Sequence, residues 1–173
     1  GITLKAAYQR AATDASTGNN KTINAYHDYG IQFAPEMVEG LTVGYATGEL
    51  HESTTESIDH STYFIKYAYG NFTVAYQDHE ADGVSASSSD ESETWGVSYA
   101  VNENLSIAYG ERDYDDDTSS SAAGSLEQND SGFSASYTMG GMTIAGHMNS
   151  SDNVGGAASA DRDSYEIALS FAF

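Results

Sequence analysis

Large apolar residues recur at every second position through most of the chain, the spacing of strands that bury one face and leave the other polar. The clearest run is Tyr165-Glu166-Ile167-Ala168-Leu169-Ser170-Phe171-Ala172-Phe173. It puts Tyr165, Ile167, Leu169, Phe171 and Phe173 on one face and Glu166, Ala168, Ser170 and Ala172 on the other. Nine further cores begin at Ile2, Ile23, Leu41, Thr62, Asn71, Thr94, Leu105, Gly132 and Met142. Their apolar sets include Tyr29/Ile31/Phe33, Tyr63/Ile65/Tyr67/Tyr69, Trp95/Val97/Tyr99/Val101 and Phe133/Ala135/Tyr137/Met139. The pattern predicts about ten strands of the ~9 to 11 residues that suit a tilted membrane strand. Aromatic rings sit towards the ends of these rows, as expected at the two interfaces of a lipid layer.

The connections alternate in length. Short ones, rich in turn formers, lie at Gly70-Asn71, Asn102-Glu103-Asn104, Gly140-Gly141 and, slightly longer, from Pro35 to Gly40. Long ones lie near 12–20, 50–60, 79–92, 113–130 and 150–162. In an up-and-down meander this gives one rim of tight turns and one of large loops, the asymmetry of transmembrane barrels. The pattern therefore predicts an all-β fold, a transmembrane antiparallel up-and-down β-barrel over 1–173 as a single domain. A soluble β-sandwich also alternates apolar and polar positions. The long strands, the aromatic ends, the alternating loop lengths and the lone Pro35 weigh against it.

Composition adds limits. Six basic against 26 acidic side chains give a formal charge of -20, which argues against nucleic acid and anionic lipid as direct partners. Of the 26 carboxylates, 21 lie in or beside the long connections, so the outer rim is expected to be acidic. Such a rim would draw divalent cations, which could bridge it to lipopolysaccharide phosphates, and would favour cations in a pore. No cysteine is present, so disulfides and thiolate metal sites are excluded. No apolar run approaches the ~18 to 20 residues of a spanning helix. The first residues carry no basic, apolar leader, so any signal peptide is expected to be absent from this chain.

Several segments, Tyr29-Gly30-Ile31-Gln32-Phe33, Leu41-Thr42-Val43-Gly44-Tyr45, Gly96-Val97-Ser98-Tyr99-Ala100-Val101, Leu105-Ser106-Ile107-Ala108-Tyr109-Gly110 and the closing Leu169-Ser170-Phe171-Ala172-Phe173, carry a resemblance. With them the chain resembles the C-terminal part of a Gram-negative general diffusion porin, most like the alphaproteobacterial type. The terminal Phe173 also resembles an outer-membrane assembly signal. The resemblance implies a passive, water-filled channel for small hydrophilic solutes and ions, in a homotrimer in the bacterial outer membrane, with no cofactor. It implies about sixteen strands per barrel, more than the ten found here, and no loop of this chain matches the inward-folded constriction loop. Small inward residues such as Ala7, Gly44, Ala75, Ser98, Ala108 and Ser134 suit a wide aqueous pore, which points to a larger barrel of which this chain supplies part.

Inward parity places Lys5, Gln9, Lys66, Gln77, Arg112 and Glu166 on the lumen side. The resemblance implies that basic wall residues face acidic loop residues across the constriction, with Lys5, Lys66 and Arg112 the best candidates. Asp113, Asp115, Asp116 and Asp117 form a weak candidate calcium site, since hard cations take several carboxylate oxygens. The segment lacks the glycine and distal glutamate of an EF-hand loop, and a solvated acidic loop is the simpler reading. His27, His51, His60, His79 and His147 show no metal-ligand spacing. Asp59-His60 and Asp78-His79 leave a hydrolase formally open, yet neighbours in a strand point to opposite faces, so no enzyme activity is expected. A closed ten-stranded barrel with a hydrolase or adhesin role is the alternative to a pore.

Overall fold

The computed structural model describes residues 1–10, 12–14, 21–23, 25–51, 57–83, 89–116 and 126–172. Asp117 and Phe173 lie outside the described residues. The strands are β1 (Ile2–Gln9), β2 (Ala12–Asp14), β3 (Lys21–Ile23), β4 (Ala25–Phe33), β5 (Leu41–His51), β6 (Ser57–Tyr69), β7 (Phe72–Gly83), β8 (Ser89–Ala100), β9 (Leu105–Asp116), β10 (Gln128–Met139), β11 (Met142–Asp152) and β12 (Arg162–Phe171). Ten of them form one antiparallel sheet in the order β1-β4-β5-β6-β7-β8-β9-β10-β11-β12, and β2 pairs with β3 as a separate hairpin. Each strand of the large sheet bonds its successor, so the topology is an up-and-down meander. The sheet is open, with β1 and β12 at its two edges and no pairing between them. One turn of 3-10 helix, Val154–Gly156, interrupts the strands, and no helix among the described residues is long and apolar enough to cross a membrane.

Short turns fall where glycine and asparagine let the backbone reverse. Gly70 and Gly140 adopt positive φ, of 56° and 59°, in two of the tight hairpins. At the third, Asn102 Oδ1 accepts from the backbone N–H groups of Asn104 and Leu105, at 2.9 and 3.0 Å.

The opposite ends differ from the sequence expectation. Strands continue past the last apolar residue, so Glu80 and Asp82 lie in β7, Glu91 in β8, and Asp113 and Asp115 in β9, rather than in loops. Polar residues on both faces give no alternation to read, yet cross-strand pairing carries on through them, Glu80 opposite Glu91 and Glu91 opposite Asp115.

The sheet encloses no core. Ala81 is the one buried apolar residue among those described, while Ile2, Leu4, Tyr8, Tyr69, Met148 and Ile167 are each at least 65% exposed. All the alternating apolar residues share one face, and nothing among the described residues covers it.

Aromatic residues mark the upper edge of this apolar face. The uppermost on each strand are Tyr8, Tyr29, Tyr45, Tyr63, Tyr76, Trp95, Tyr109, Phe133 and Tyr165, with Met148 in that place on β11. This line crosses the hydrogen-bond register at a slant. The register row through Tyr165, Met148, Phe133 and Tyr109 runs through Leu41 on β5, and Tyr8 on β1 stands eight residues above it, a drift accumulated over nine strand pairs. With ~3.3 Å per residue and ~4.8 Å between strands, the strands lean about 30° from the perpendicular of the aromatic line. Polar tips along it donate to carboxylates: Tyr63 Oη to Asp78 at 3.2 Å, Tyr76 Oη to Glu93 at 2.6 Å, Trp95 Nε1 to Glu111 at 3.1 Å and Tyr109 Oη to Glu111 at 2.5 Å. Rings with one apolar side and one wet end suit such a boundary.

Candidate functional site

The face opposite the apolar one is the candidate site. It is lined largely by Ala, Gly, Ser and Thr, with a shallow depression over Thr73, Ala75, Gly96, Ser98, Ala108 and Gly132. Small side chains leave the backbone of this wall close to whatever fills the space in front of it.

The six lumen candidates all fall on this face, in different settings. Lys66 lies opposite Thr42 on one side and Ala75 on the other, neither a carboxylate. Lys5 lies opposite Gly30 and Gln9 opposite Tyr26. In register Lys5 and Lys66 occupy different rows. Measured from the slanting aromatic line they are level, each three residues below its edge, at Tyr8 and Tyr63. The slant thus gathers two separated lysines to one depth. Glu166 pairs with His147 on β11. Gln77 and Arg112 share a register row that runs through Gln77, Thr94, Arg112, Asp130, Ser151 and Arg162.

Arg112 is held in an ion pair. Its Nε donates to Asp130 Oδ2 at 2.9 Å, and Nη2 donates to the same oxygen. The guanidinium also lies 5.6 Å from the centre of the Tyr114 ring. Gln128 Nε2 donates to both oxygens of Asp130, at 3.0 and 3.1 Å, and Gln128 Oε1 accepts from the backbone N–H of Gly155 at 2.9 Å. Asn153 Nδ2 donates to the Glu127 carbonyl at 3.2 Å, so the β11–β12 connection is tied to the start of β10. Val154 of that connection lines the same depression as Arg112, Gln128 and Asp130. The result is a bonded polar patch over one part of the upper rim.

Asp130, three residues beyond the aromatic edge at Phe133, has its pKa lowered. Burial alone would push it up, but hydrogen bonds from Ser151, Arg112 and Gln128, with the guanidinium charge, outweigh burial. Glu91 behaves in the opposite way. Lost hydration, then repulsion from Asp78, Glu93, Glu80 and Asp115, pushes its carboxyl above the ordinary glutamate range. The signs give opposite stability profiles. A lowered pKa contributes stability above the unfolded-state value that is lost as pH falls through the folded value. A raised one weakens the fold as pH rises through it. Asp130→Asn should therefore lower the unfolding midpoint at pH 7, and Glu91→Gln should raise it. Both differences should vanish once the carboxylates are protonated in acid, as midpoints measured at several pH values will read.

Asp113 and Asp115 belong to the apolar-face parity, above Tyr109 and beside Glu93 and Glu91. Asp116 pairs with Asp90 through its backbone. Of the candidate calcium ligands, Asp113, Asp115 and Asp116 therefore lie along β9, and Asp117 lies outside the described residues. His60 and His79, far apart in sequence, stack on the small-residue face with ring centres 5.9 Å apart, and Thr62 Oγ1 shares a 2.7 Å hydrogen bond with His79 Nδ1. Neither pair can be read from sequence spacing, because cross-strand register creates it. No protein-family model matches the chain, and no curated protein matches it.

Proposed function

We propose that this chain forms the wall of an outer-membrane β-barrel through which small hydrophilic solutes and ions diffuse passively. The observation that carries this reading is a continuous apolar face that none of the described residues covers, backed by a face of small and polar residues. In water, such a face would expose far more contiguous apolar surface than the few hundred Å² a soluble monomer tolerates. Lipid covers it without a second sheet, and the slanting aromatic line with its carboxylate acceptors suits a membrane boundary. Closure, of this chain on itself or with further strands, would satisfy the two free edges. The same reading puts the acidic strand extensions at the outer rim, where divalent cations would bridge them to lipopolysaccharide, and allows assembly as a homotrimer. It needs no cofactor and assigns no catalysis.

Detergent-folded protein added to planar bilayers should give stepwise, ohmic conductance. Reversal potentials in a salt gradient should show mild cation preference, because the acidic rim concentrates cations and Arg112 is neutralised by Asp130. Protein that stays soluble and monomeric without detergent would sink the reading and favour a sandwich. The bonded patch around Arg112, Asp130 and Gln128 favours one second reading, a plugged barrel, which predicts insertion without conductance.

A further inference from the structure

We propose that His27, Glu49 and His51 form a binding site for a borderline divalent transition-metal ion such as Zn²⁺, on the apolar-face side of the sheet just beyond the aromatic line. His27 on β4 lies directly opposite Glu49 on β5, and His51 follows two residues on, so all three side chains project from one face. Glu49 stands between the imidazoles. Its Oε2 is 3.7 Å from His27 Nε2 and its Oε1 is 3.4 Å from His51 Nδ1, while the ring centres are 6.1 Å apart. One donor atom from each residue lies within 4.8 Å of the others. Three ligands at ~2.0 to 2.1 Å around tetrahedral zinc are about 3.3 Å from one another, so a side-chain adjustment of roughly 1 Å closes the set.

The chemistry of the donors selects the ion. Two imidazoles and one carboxylate suit zinc, copper or nickel, whereas calcium and magnesium prefer oxygen alone. Three protein ligands leave a fourth position open to water or an outside donor. The Tyr29 ring meets His27 edge to face at 5.7 Å and limits its rotation. Across the neighbouring strands, Tyr8 on β1 lies opposite His27 and Asp59 on β6 lies opposite Glu49. Asp59 adds negative charge that favours a cation. The histidines are about a third to a half exposed, so the site is open to ions from solution. Because the imidazoles must be neutral to bind, acid should release the metal. The site joins β4 to β5 and stands whether or not the chain conducts.

Isothermal titration of Zn²⁺ into detergent-folded chain tests this. The expected result is binding with at least tenfold loss of affinity in His27→Ala and in His51→Gln, loss of that binding in the double variant, and no displacement by a hundredfold excess of Ca²⁺. His147→Ala, on the opposite face, should bind as the parent does. The conservative His51→Gln keeps the test alive if His27→Ala folds poorly, with far-UV circular dichroism as the check. Unchanged affinity in both folded histidine variants, or displacement of zinc by calcium at equal concentration, would overturn the proposal and assign the binding to the acidic strand extensions.

Discussion

Ile65→Arg should all but abolish insertion into lipid vesicles, while Ser98→Arg should leave insertion close to that of the parent. Ile65 projects from the apolar face of β6 between Tyr63 and Tyr67, with Val43 and Tyr76 opposite it on β5 and β7, and it is 46% exposed. On the membrane reading, an arginine there would put a guanidinium in the middle of the apolar band, at a cost of about 2 to 4 kcal/mol near the bilayer midplane. Ser98 lies on the other face, opposite Thr73 and Ala108, where an arginine can remain in water. Folding yield into short-chain vesicles, read by circular dichroism, separates the two. Equal damage from both substitutions would mean that both faces are packed against protein, and the membrane reading would fail.

Gly40→Ala should destabilise the fold far more than Gly70→Ala, although both glycines have positive φ, 83° and 56°. A Cβ on Gly40 would sit 2.0 Å from the Ala68 carbonyl oxygen, whereas a Cβ on Gly70 meets nothing within 4 Å. The carbonyl cannot swing aside as a side chain could. Gly40 O accepts from the Ala68 N–H at 3.0 Å, so any retreat breaks the bond that starts the pairing of β5 with β6. Left-handed strain alone costs about 1 to 3 kcal/mol, and the steric conflict adds to it at position 40. Urea midpoints in matched lipid or detergent should fall for both variants, with the larger drop for Gly40→Ala. Equal midpoints would show that the Pro35 to Gly40 turn tolerates rearrangement.

Much of the fold is legible in the alternation itself. The rows Tyr63/Ile65/Tyr67 and Trp95/Val97/Tyr99 announce strands because each places a large apolar residue against a small or polar neighbour. The turns at Gly70, Asn102 and Gly140 announce themselves by residue type. The strand extensions are silent, because Glu80, Glu91 and Asp115 sit among residues equally polar on both faces. The site is legible only in parity. Inward placement of Lys66 follows from Ile65 and Tyr67, but the neutralisation of Arg112 by Asp130 depends on the register of β9 against β10, which no local pattern states. The same holds for His27 and Glu49, which lie 22 positions apart in the chain and directly opposite each other in the sheet.

Were the sheet to close, the slant of the aromatic line would also set its bore. In a closed ring the radius grows with strand number and with the inverse cosine of the lean, so at about 30° ten strands would enclose a backbone radius of about 9 Å and sixteen about 14 Å. Upright strands would give a radius roughly a seventh smaller. Alanine, glycine and serine subtract little from either figure. Exclusion of graded neutral polymers from the conductance would thus read the strand count from solution, and the width it reports would owe as much to the lean of the strands as to the side chains lining them.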